Sequence, residues 1–372
     1  MIRLASIIET FEADLLQQGK LLPGQLHALN AIKNCRSAMS PKMQAECGDC
    51  EHKIYVPHSC GHRSCPNCQA HESQRWIERQ MQKLVPGDYF MITFTLPAQL
   101  RALALANRQV MYELFMQCAW DTLRTFSHND KKLQGTPGAV GVLHTHSRRL
   151  DFHLHTHMVI PAAAFDNKRK LWRSKKAKYL FNHTALAQVF RAKMLEGIKQ
   201  AELIQVEQAQ GRHPEKWVVD VKNVGTGEKA LVYLGRYLYR GVIREQDILA
   251  CENGQVTFRY RNSKTQKIEH RTVSGVAFLR LILQHVLPKG FRRARNFGFL
   301  HPNSKWLIRL VQVLFKLTPK PLVAALSKRP ALCCPCCGGK MKIVRTRIKP
   351  VVASEFASGD FWQGATGPEM AV

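Results

Sequence analysis

The sequence predicts an α+β protein in three parts, because its composition and hydrophobic pattern change twice along its 372 residues. Two helical segments lead into a cysteine-rich stretch with little hydrophobic periodicity, as expected for a small module held together by metal. A strand, a long helix and two further strands follow, which favours an antiparallel sheet with flanking helices. A second cysteine cluster lies near the C terminus. We therefore predict an N-terminal segment 1–85, a sheet domain 86–300 and a C-terminal segment 301–372.

Hydrophobic periodicity places the individual elements. Helical spacing covers residues 1–34 around a Pro-Gly turn, and a third helix is predicted over 71–84. The run YFMITFTL (Tyr89–Leu96) is rich in aromatic and β-branched residues, which predicts a strand. The remaining predicted elements are a helix at 99–126, strands at 139–144 and 153–160, helices at 184–201 and 227–240, a hairpin around 256–260, helices at 275–286 and 304–317, and a loose tail.

The charge balance indicates a polyanionic partner. Lysine and arginine number 55 against 27 acidic residues, which gives a formal net charge of +28. Such an excess repels itself in a compact fold. The basic residues run along the whole chain, which fits nucleic acid better than a membrane surface. A basic protein without such a partner is the simpler alternative.

Composition also gives an expectation about the compartment. No stretch reaches the roughly 18 apolar residues of a membrane helix. The first residues, MIRLASIIETFEADLL, carry acidic side chains where a signal peptide would be apolar. We therefore expect a cytoplasmic protein without a membrane partner. In that reducing compartment the 12 cysteines are better explained as metal ligands than as disulfides.

The N-terminal cysteines form two Cys-x-x-Cys pairs, Cys47 with Cys50 and Cys65 with Cys68. Zinc takes four thiolate or imidazole ligands at tetrahedral corners, and each pair supplies two ligands from one tight turn. These four thiols therefore predict a structural zinc site, because four protein ligands leave no position open for water. Nearby residues are candidates for a second zinc site: Cys35, His58, Cys60 and His62.

The C-terminal cluster reads Cys-Cys-Pro-Cys-Cys and contains one sound pair, Cys334 with Cys337. No second pair follows it in the sequence. A complete zinc site here would need Cys333, Cys336 or a group from elsewhere in the chain.

A run of alternating histidines is the first candidate for catalysis. His153, His155 and His157 lie two residues apart, so in a strand all three project from the same face. Imidazoles on one face leave coordination positions open for a divalent metal that could polarise a phosphate oxygen. His144 and His146, on the preceding predicted strand, could supply a further ligand if the two strands pair. The alternative is a histidine-rich face open to solvent.

A pair of tyrosines is the second candidate. The segment GEKALVYLGRYLYRG predicts a helix on which Tyr233 and Tyr237 lie one turn apart on one face. A phenol, with a pKa of about 10, is a weak nucleophile unless a metal or cations activate its target. Arg236 and Arg240 follow at the same spacing and suit phosphate, because the guanidinium fork contacts two oxygens. Without the histidine strand, these tyrosines would be read as aromatic core residues.

These features, in this order, resemble the HUH rolling-circle transposases of bacterial insertion sequences, specifically the two-tyrosine group typified by insertion sequence ninety-one. The resemblance spans roughly residues 25–340. It rests on four segments, SCGHRSCPNCQ, HTHMVIP, YLGRYLYR and HVLPKGFRRARNFG. The fold that it implies is an antiparallel-sheet HUH nuclease domain, with a histidine pair on a central strand and a tyrosine helix above it.

The resemblance also implies the site. His155 and His157 would hold the catalytic metal, Mg²⁺ or Mn²⁺, and His153 matches an additional histidine often seen in this group. Thr156 departs from the family pattern, which has a hydrophobic residue between the two histidines. Tyr233 and Tyr237 would be the nucleophiles.

The implied reaction is cutting and rejoining of DNA, with single-stranded element ends as the partner. One tyrosine attacks a phosphate, forms a 5′-phosphotyrosine and releases a 3′-hydroxyl, and the second tyrosine receives the other strand end. The sequence contains no phosphate-binding Walker loop, so no nucleotide cofactor is expected. The predicted DNA-binding residues are Arg236, Arg240, Arg292 and Arg293.

Two alternatives compete with this interpretation. One is a zinc-ribbon nucleic-acid-binding protein without catalysis, such as a degenerate element remnant. The other is a plasmid replication initiator or relaxase with the same chemistry, against which the N-terminal cysteine module favours a transposase. Convergence of His155, His157 and Tyr237 in space would separate an enzyme from the non-catalytic protein.

Overall fold

The structure is a computed structural model that describes residues 2–176, 178–203, 214–238, 241–263, 265–317 and 332–349. The helices within these ranges are α1 (Leu4–Gln17), α2 (Pro23–Lys33), α3 (Ala70–Met81), α4 (Arg101–Ala106), α5 (Arg108–Asn129), α6 (His183–Gln200), α7 (Glu228–Leu238), α8 (Gly275–Leu283) and α9 (Lys305–Leu314). The strands are β1 (Lys42–Cys47), β2 (Lys53–Pro57), β3 (Tyr89–Thr95), β4 (Thr136–His146), β5 (Phe152–Pro161), β6 (Ala163–Asp166), β7 (Leu171–Ser174), β8 (Val218–Asn223), β9 (Ile248–Glu252), β10 (Gln255–Arg261), β11 (Ile268–Ser274), β12 (Ala294–Gly298) and β13 (Met341–Ile348).

The largest sheet has seven strands in the order β7-β6-β4-β5-β3-β8, with β12 paired to β4. The pairings around its centre are antiparallel. Strand β5 lies between β4 and β3, so both of its edges are hydrogen-bonded. This arrangement confirms the predicted α+β class and the antiparallel sheet with flanking helices.

The two faces of β5 have different roles. Leu154, Thr156 and Met158 are fully buried in the core that α5 and α6 form with the sheet. The Thr156 hydroxyl is satisfied there, because it donates to the Val142 carbonyl at 3.1 Å and lies 3.3 Å from Met116 Sδ. Side chains alternate along a strand, so the three histidines of β5 lie on the opposite face, the side of α3 and α7.

The N-terminal helices pack against the C-terminal half of the sheet domain. Helices α1 and α2 share one hydrophobic cluster with α8 and with a three-stranded sheet in the order β11-β10-β9. Phe258 and Phe278 meet in this cluster with ring centroids 5.6 Å apart. Gln25 Nε2 in α2 donates to the Leu283 carbonyl of α8 at 3.0 Å. These contacts fix the cysteine-rich loops that follow α2 relative to the central sheet.

A third sheet joins the two cysteine-rich regions of the chain. Strand β1 pairs with β2 on one side and with β13 on the other, both antiparallel. Its core is small and consists of the buried residues Ala45, Cys47, Cys334 and Met341, with Ile54 packed against them. The C-terminal strand therefore completes a sheet that begins near the N terminus.

Most predicted elements are present, with local differences. The single helix predicted over 99–126 is interrupted at Asn107, whose backbone leaves the helical region at φ −120° and ψ 48°. The Asn107 side chain donates to the Leu103 carbonyl at 3.2 Å, the kind of local bond with which asparagine competes against a continuous helix. Within the described ranges, none of the helices combines the length and apolar character needed to cross a membrane.

Candidate active site and metal centres

Three imidazoles converge on one face of the central sheet. His155 and His157 belong to β5, and the strand register places His144 of β4 opposite His155. The ligand nitrogens of these three residues all lie within 4.8 Å of one another. Their ring centroids are 4.6 to 5.2 Å apart. Pairing of two antiparallel strands therefore completes a three-histidine group.

The two histidines of β5 are oriented through Nδ1. His157 Nδ1 lies 2.9 Å from Thr93 Oγ1 on β3, and His155 Nδ1 donates to the His153 carbonyl at 2.8 Å. Both contacts leave Nε2 available for a metal. In metal sites a hydrogen bond at the other ring nitrogen commonly fixes the orientation of a histidine ligand in this way.

Burial keeps the three imidazoles in the form that binds metal. It lowers the pKa of His155 to about 3 and that of His157 to about 4. It also holds the pKa of His144 well below its usual range, an effect to which the charges of the neighbouring histidines add. All three side chains are therefore neutral near pH 7, and only the neutral ring has a lone pair for a metal.

The residues also fit a metal by their hydrogen bonding. His144 is 1% exposed, and its Nε2 has no hydrogen-bond partner among the described residues. A buried nitrogen of this kind costs about 1–3 kcal/mol unless it is satisfied, and coordination of a metal ion would satisfy it. Imidazole suits transition metals better than Mg²⁺, which prefers oxygen ligands, so Mn²⁺ fits this set.

The geometry distinguishes the candidates for a third ligand. The sequence offered His153, His144 and His146, and of these only His144 belongs to the group of three. His153 Nδ1 instead lies 3.1 Å from Arg101 Nη2, near the N-terminal end of β5. His144 takes the place because the β4–β5 register sets it directly across from His155.

Helix α7 carries the tyrosine pair, and its apolar side packs on α3. Ser73 Oγ of α3 donates to the Gly235 carbonyl of α7 at 2.8 Å. A Cβ at Gly235 would overlap the Ile77 side chain, so glycine permits the close approach of the two helices. Ala230, Leu231, Leu234 and Leu238 fill the same cluster as Trp76 and Ile77. This packing turns the opposite side of α7 towards the histidines.

Both predicted nucleophiles face the histidine group. The Tyr237 ring stacks on the His144 ring, with centroids 4.0 Å apart and an interplanar angle of 10°. The Tyr233 ring meets His157 edge-on at 6.3 Å, and the two tyrosine rings are 6.2 Å apart. Tyr233 is 48% exposed, whereas Tyr237 is half-buried. The structure thus brings together the histidines and tyrosines that the sequence singled out.

A histidine that the sequence placed among possible metal ligands contacts Tyr237 instead. His146 Nε2 lies 2.8 Å from Tyr237 Oη, and the two rings are nearly parallel with centroids 5.3 Å apart. His146 is buried, at the end of β4 where the register shifts after His144. Spacing alone could not predict this contact, because it depends on where α7 crosses the sheet.

The predicted DNA-binding arginines differ in their surroundings. Arg293 is largely enclosed: its Nε donates to the Leu143 carbonyl at 2.9 Å and its Nη1 to the Leu238 carbonyl at 3.1 Å. Its guanidinium carbon lies 5.8 Å from the Tyr237 ring centroid, on the ring face. Arg236 and Arg292 are exposed, and Arg240 lies outside the described residues. Arg293 therefore supports the tyrosine, while the exposed pair is open to a ligand.

Among the described residues, eight of the 12 cysteines form two groups of four, each with all sulfurs within 4.8 Å of one another. One group contains Cys35, Cys60, Cys65 and Cys68. The other contains Cys47, Cys50, Cys334 and Cys337. The single set of Cys47, Cys50, Cys65 and Cys68 expected from the sequence is thus corrected, because its two pairs lie in different groups. His58 and His62 belong to neither group.

Comparisons with known proteins identify the family of the chain. The model of a transposase zinc-binding domain, Zn_Tnp_IS91, matches residues 7–96, and the Y2_Tnp model, described as "Putative transposase", matches residues 138–305. "Putative transposase y4qJ" of Sinorhizobium fredii is 32% identical over 310 residues, which cover 78% of this chain and 77% of the relative. The chain belongs to the IS91 family of transposases.

Further relatives of the transposase are more distant. The transposase for insertion sequence element IS801 of Pseudomonas savastanoi pv. phaseolicola is 26% identical over 328 residues, covering 83% of this chain and 78% of the relative. Among solved structures, the conjugative relaxase TrwC in complex with mutant oriT DNA matches 30% of the transposase and 44% of the relaxase chain. Its sequence identity is 21% and its TM-score 0.24, values too low to support a shared activity.

The transposase has a groove of about 1370 Å³ beside the tyrosine site. It runs between the loop that holds Cys60 and the segment before β12. The cationic residues lining it are Arg63, Arg108, Lys289, Arg292 and Arg293, joined by His27 and His62. No aspartate or glutamate is among its described lining residues. A groove of this charge suits a polyanionic strand.

Proposed function

We propose that this transposase cuts and rejoins single-stranded DNA by transesterification onto tyrosine, with Tyr237 as the first nucleophile. The observation that carries the proposal is the placement of the Tyr237 ring against His144 at 4.0 Å, with its hydroxyl 2.8 Å from His146. A nucleophile, a proton acceptor and a metal-ligand set thus occupy one face of the sheet. A DNA-binding protein without catalysis would not need this convergence.

The metal ligands in this proposal are His144, His155 and His157. Three protein ligands leave coordination positions open, as catalytic metal sites require. A divalent metal held there would polarise the scissile phosphate and stabilise charge on the leaving oxygen. The protein's own contribution is to keep the three imidazoles neutral, buried and pointed at one place.

In the cutting step the Tyr237 oxygen attacks the phosphorus, and the bond between phosphorus and the 3′ oxygen breaks. The phenol proton passes to His146 Nε2, which is already within hydrogen-bond distance. The 3′ oxygen takes a proton from solvent and leaves as a hydroxyl. One phosphodiester is exchanged for a 5′-phosphotyrosine, so the bond energy is retained and no nucleotide is consumed.

Tyr233 is placed to act in the transfer step. Its ring lies 6.2 Å from that of Tyr237 and is more exposed, so it can accept a second phosphate while the first strand stays attached to Tyr237. In joining, a 3′-hydroxyl attacks the phosphotyrosine and releases the phenol, the reverse of the cutting step.

The defining test is covalent capture of DNA. Full-length protein is incubated with single-stranded oligonucleotides that carry the ends of its own element, with Mn²⁺ or Mg²⁺ or with EDTA. We expect a metal-dependent adduct on a denaturing gel and a phosphotyrosine at residue 237 by peptide mass spectrometry. Duplex oligonucleotides of the same sequence serve as the comparison. Failure of every end sequence and both metals to give an adduct would contradict the proposed reaction.

Removal of the proton acceptor gives the first specific prediction. His146→Phe keeps an aromatic ring beside Tyr237 but has no nitrogen for the phenol. We expect adduct formation to slow by about 100-fold or more, because a positioned general base contributes about 10²–10⁴. Single-turnover adduct formation measures the effect.

The matched control is His285→Phe. The His285 ring lies 5.3 Å from His146, but its Nε2 pairs with the Leu150 carbonyl at 2.9 Å and not with a tyrosine. H285F should cut at the wild-type rate at temperatures where it remains folded. An unchanged rate in H146F would remove His146 from the mechanism.

The groove provides the second prediction. Reversal of two exposed charges, with Lys289→Glu and Arg292→Glu, should weaken binding of a single-stranded oligonucleotide about tenfold or more. Each lost phosphate contact should also reduce the slope of log K against log salt by about 0.7. Fluorescence anisotropy at several salt concentrations measures both effects.

A control with the same charge change lies at the other end of α5. Lys131 and Lys132 are exposed and follow a helix of 22 residues that is roughly 33 Å long. Its first residue, Arg108, lines the groove. The Lys131→Glu, Lys132→Glu double variant should keep nearly the wild-type affinity. Equal weakening by the two double variants would show that the groove has no special role.

A further inference from the structure

We propose that Cys47, Cys50, Cys334 and Cys337 hold a second structural zinc ion, which fastens residues 332–349 to the N-terminal hairpin β1–β2. Half of this ligand set lies outside the matched zinc-binding domain, which ends at residue 96. The site is therefore a metal clip between distant parts of the chain.

The sulfur positions carry the proposal. Cys47 Sγ lies 3.4 Å from Cys337 Sγ, and Cys50 Sγ lies 3.6 Å from Cys334 Sγ. Each of these pairs joins one N-terminal and one C-terminal cysteine. Zinc–sulfur bonds of about 2.3 Å in a tetrahedron place neighbouring sulfurs about 3.8 Å apart. The four thiols are thus nearly at the separations that zinc requires.

The backbone around the thiols has the form of two paired metal-binding turns. The Asp49 amide points at Cys47 Sγ at 3.4 Å, and the Cys336 amide points at Cys334 Sγ at the same distance. Each amide is two residues after its sulfur, so the two Cys-x-x-Cys turns are built alike. Amide donors of this kind stabilise the negative charge that four thiolates carry around one Zn²⁺.

Strand pairing brings the two turns together. Cys47 at the end of β1 pairs with Met341 at the start of β13, and Gly338 and Gly339 close the C-terminal turn just before it. Gly338 adopts a φ of +73°, and its amide donates to the Cys334 carbonyl at 2.9 Å. At Gly339 a Cβ would meet the end of the Asp49 side chain, so the two turns approach each other closely at this point.

The small sheet has too small an apolar core to be stable without a further link. Its core contains four buried residues, two of which are the ligands Cys47 and Cys334. The side chains of β13 are exposed from Lys342 to Arg347, so the strand buries little apolar surface of its own. Sheets with so small a core are marginal in water unless a metal or covalent link supports them. Zinc supplies the stabilisation that apolar burial does not.

The site is separate from the other group of four thiols. Cys35, Cys65 and Cys68 are buried in the cluster of α1, α2 and α8, whereas Cys47 and Cys334 belong to the core of the small sheet. Each group has a complete set of four sulfurs. Loss of one zinc therefore should not empty the other site.

Zinc content of the full-length protein tests the proposal. The Cys334→Ser, Cys337→Ser variant is compared with Cys333→Ser, Cys336→Ser, which changes the two neighbouring cysteines that lie outside the group. Elemental analysis should find one zinc fewer per chain in the first variant, while the control matches wild type. Equal zinc content in the two variants, or fewer than two zinc ions in the wild-type chain, would overturn the proposal.

Hydrogen exchange provides the second measurement. In the wild-type protein, amides of β13 that pair with β1 should be protected, and the C334S/C337S variant should lose protection there while the central strand β5 keeps it. Loss of protection throughout β5 would mean global unfolding; the wild-type zinc content then decides alone. Persistent protection of β13 in a C334S/C337S protein that has lost zinc would contradict the fastening role. Neither readout depends on DNA cleavage, so the outcome is independent of the proposed reaction.

Discussion

Replacing Tyr237 with phenylalanine is expected to abolish the covalent protein–DNA adduct. The substitution removes only the oxygen that attacks phosphorus and keeps the ring that stacks on His144 at 4.0 Å. Loss of a catalytic nucleophile typically costs several orders of magnitude in rate, so a decrease of about 1,000-fold or more is expected. The measurement is the yield of adduct on a single-stranded oligonucleotide. The affinity of the variant for the same oligonucleotide, measured by fluorescence anisotropy, should stay close to that of the wild type.

Tyr233→Phe is the matched variant, one helical turn away on the same face. Tyr233 faces His157 at 6.3 Å and is more exposed, so its loss should leave the first cut nearly intact and block transfer of the second strand end. Substrates that report cutting and joining separately would show the division. If Y233F abolished the adduct while Y237F preserved it, the order of the two nucleophiles would be reversed. If both single variants kept the adduct, the tyrosine mechanism would fail.

The sequence predicts which side chains share a face where the placement follows local periodicity. The two-residue repeat of a strand requires the β5 histidines to share a face, with Leu154, Thr156 and Met158 buried on the other. Residues four apart are neighbours on the surface of a helix, which places Tyr233 and Tyr237 together. Thr156 departs from the expected apolar residue, and its hydroxyl is satisfied by the Val142 carbonyl. The geometry of the strand is therefore preserved despite the substitution.

Contacts between distant segments were not accessible in the same way. The third histidine of the cluster depends on the register of β4 against β5, and a shift of one residue would turn His144 to the other face. The same limit applies to the cysteines: spacing identifies each Cys-x-x-Cys turn but not the turn that faces it. Cys50 and Cys334 lie side by side only because β13 returns to pair with β1.

The contact between Tyr237 and His146 depends on packing alone. The contact forms only if α7 crosses β4 at one particular position along the strand. That position is set by the packing of Ser73 and Ile77 of α3 against Gly235 of α7. No repeat in the sequence encodes it. The residues that position a nucleophile are consequently harder to predict than the nucleophile itself.

Removal of the third imidazole should have the second large effect. His144→Asn removes one of the three nitrogens that converge within 4.8 Å while it keeps a small polar side chain under the Tyr237 ring. We expect Mn²⁺ affinity and metal-dependent cutting to fall about 100-fold or more, since even loss of a residue that only supports a ligand costs about 10- to 100-fold. Isothermal titration with Mn²⁺ and single-turnover cutting at several metal concentrations measure the two quantities.

His153→Asn distinguishes metal binding from a general effect on the strand. His153 lies on the same face of β5, but its Nδ1 is 3.1 Å from Arg101 Nη2 and it is not among the converging nitrogens. H153N should bind Mn²⁺ like wild type, whereas H144N should require much more metal to cut, with part of its rate restored when metal is raised. The opposite result, weak binding in H153N and normal binding in H144N, would return the third position to His153. It would also mean that the buried His144 Nε2 is satisfied in some other way, because an unpaired buried nitrogen is costly and rare in folded proteins.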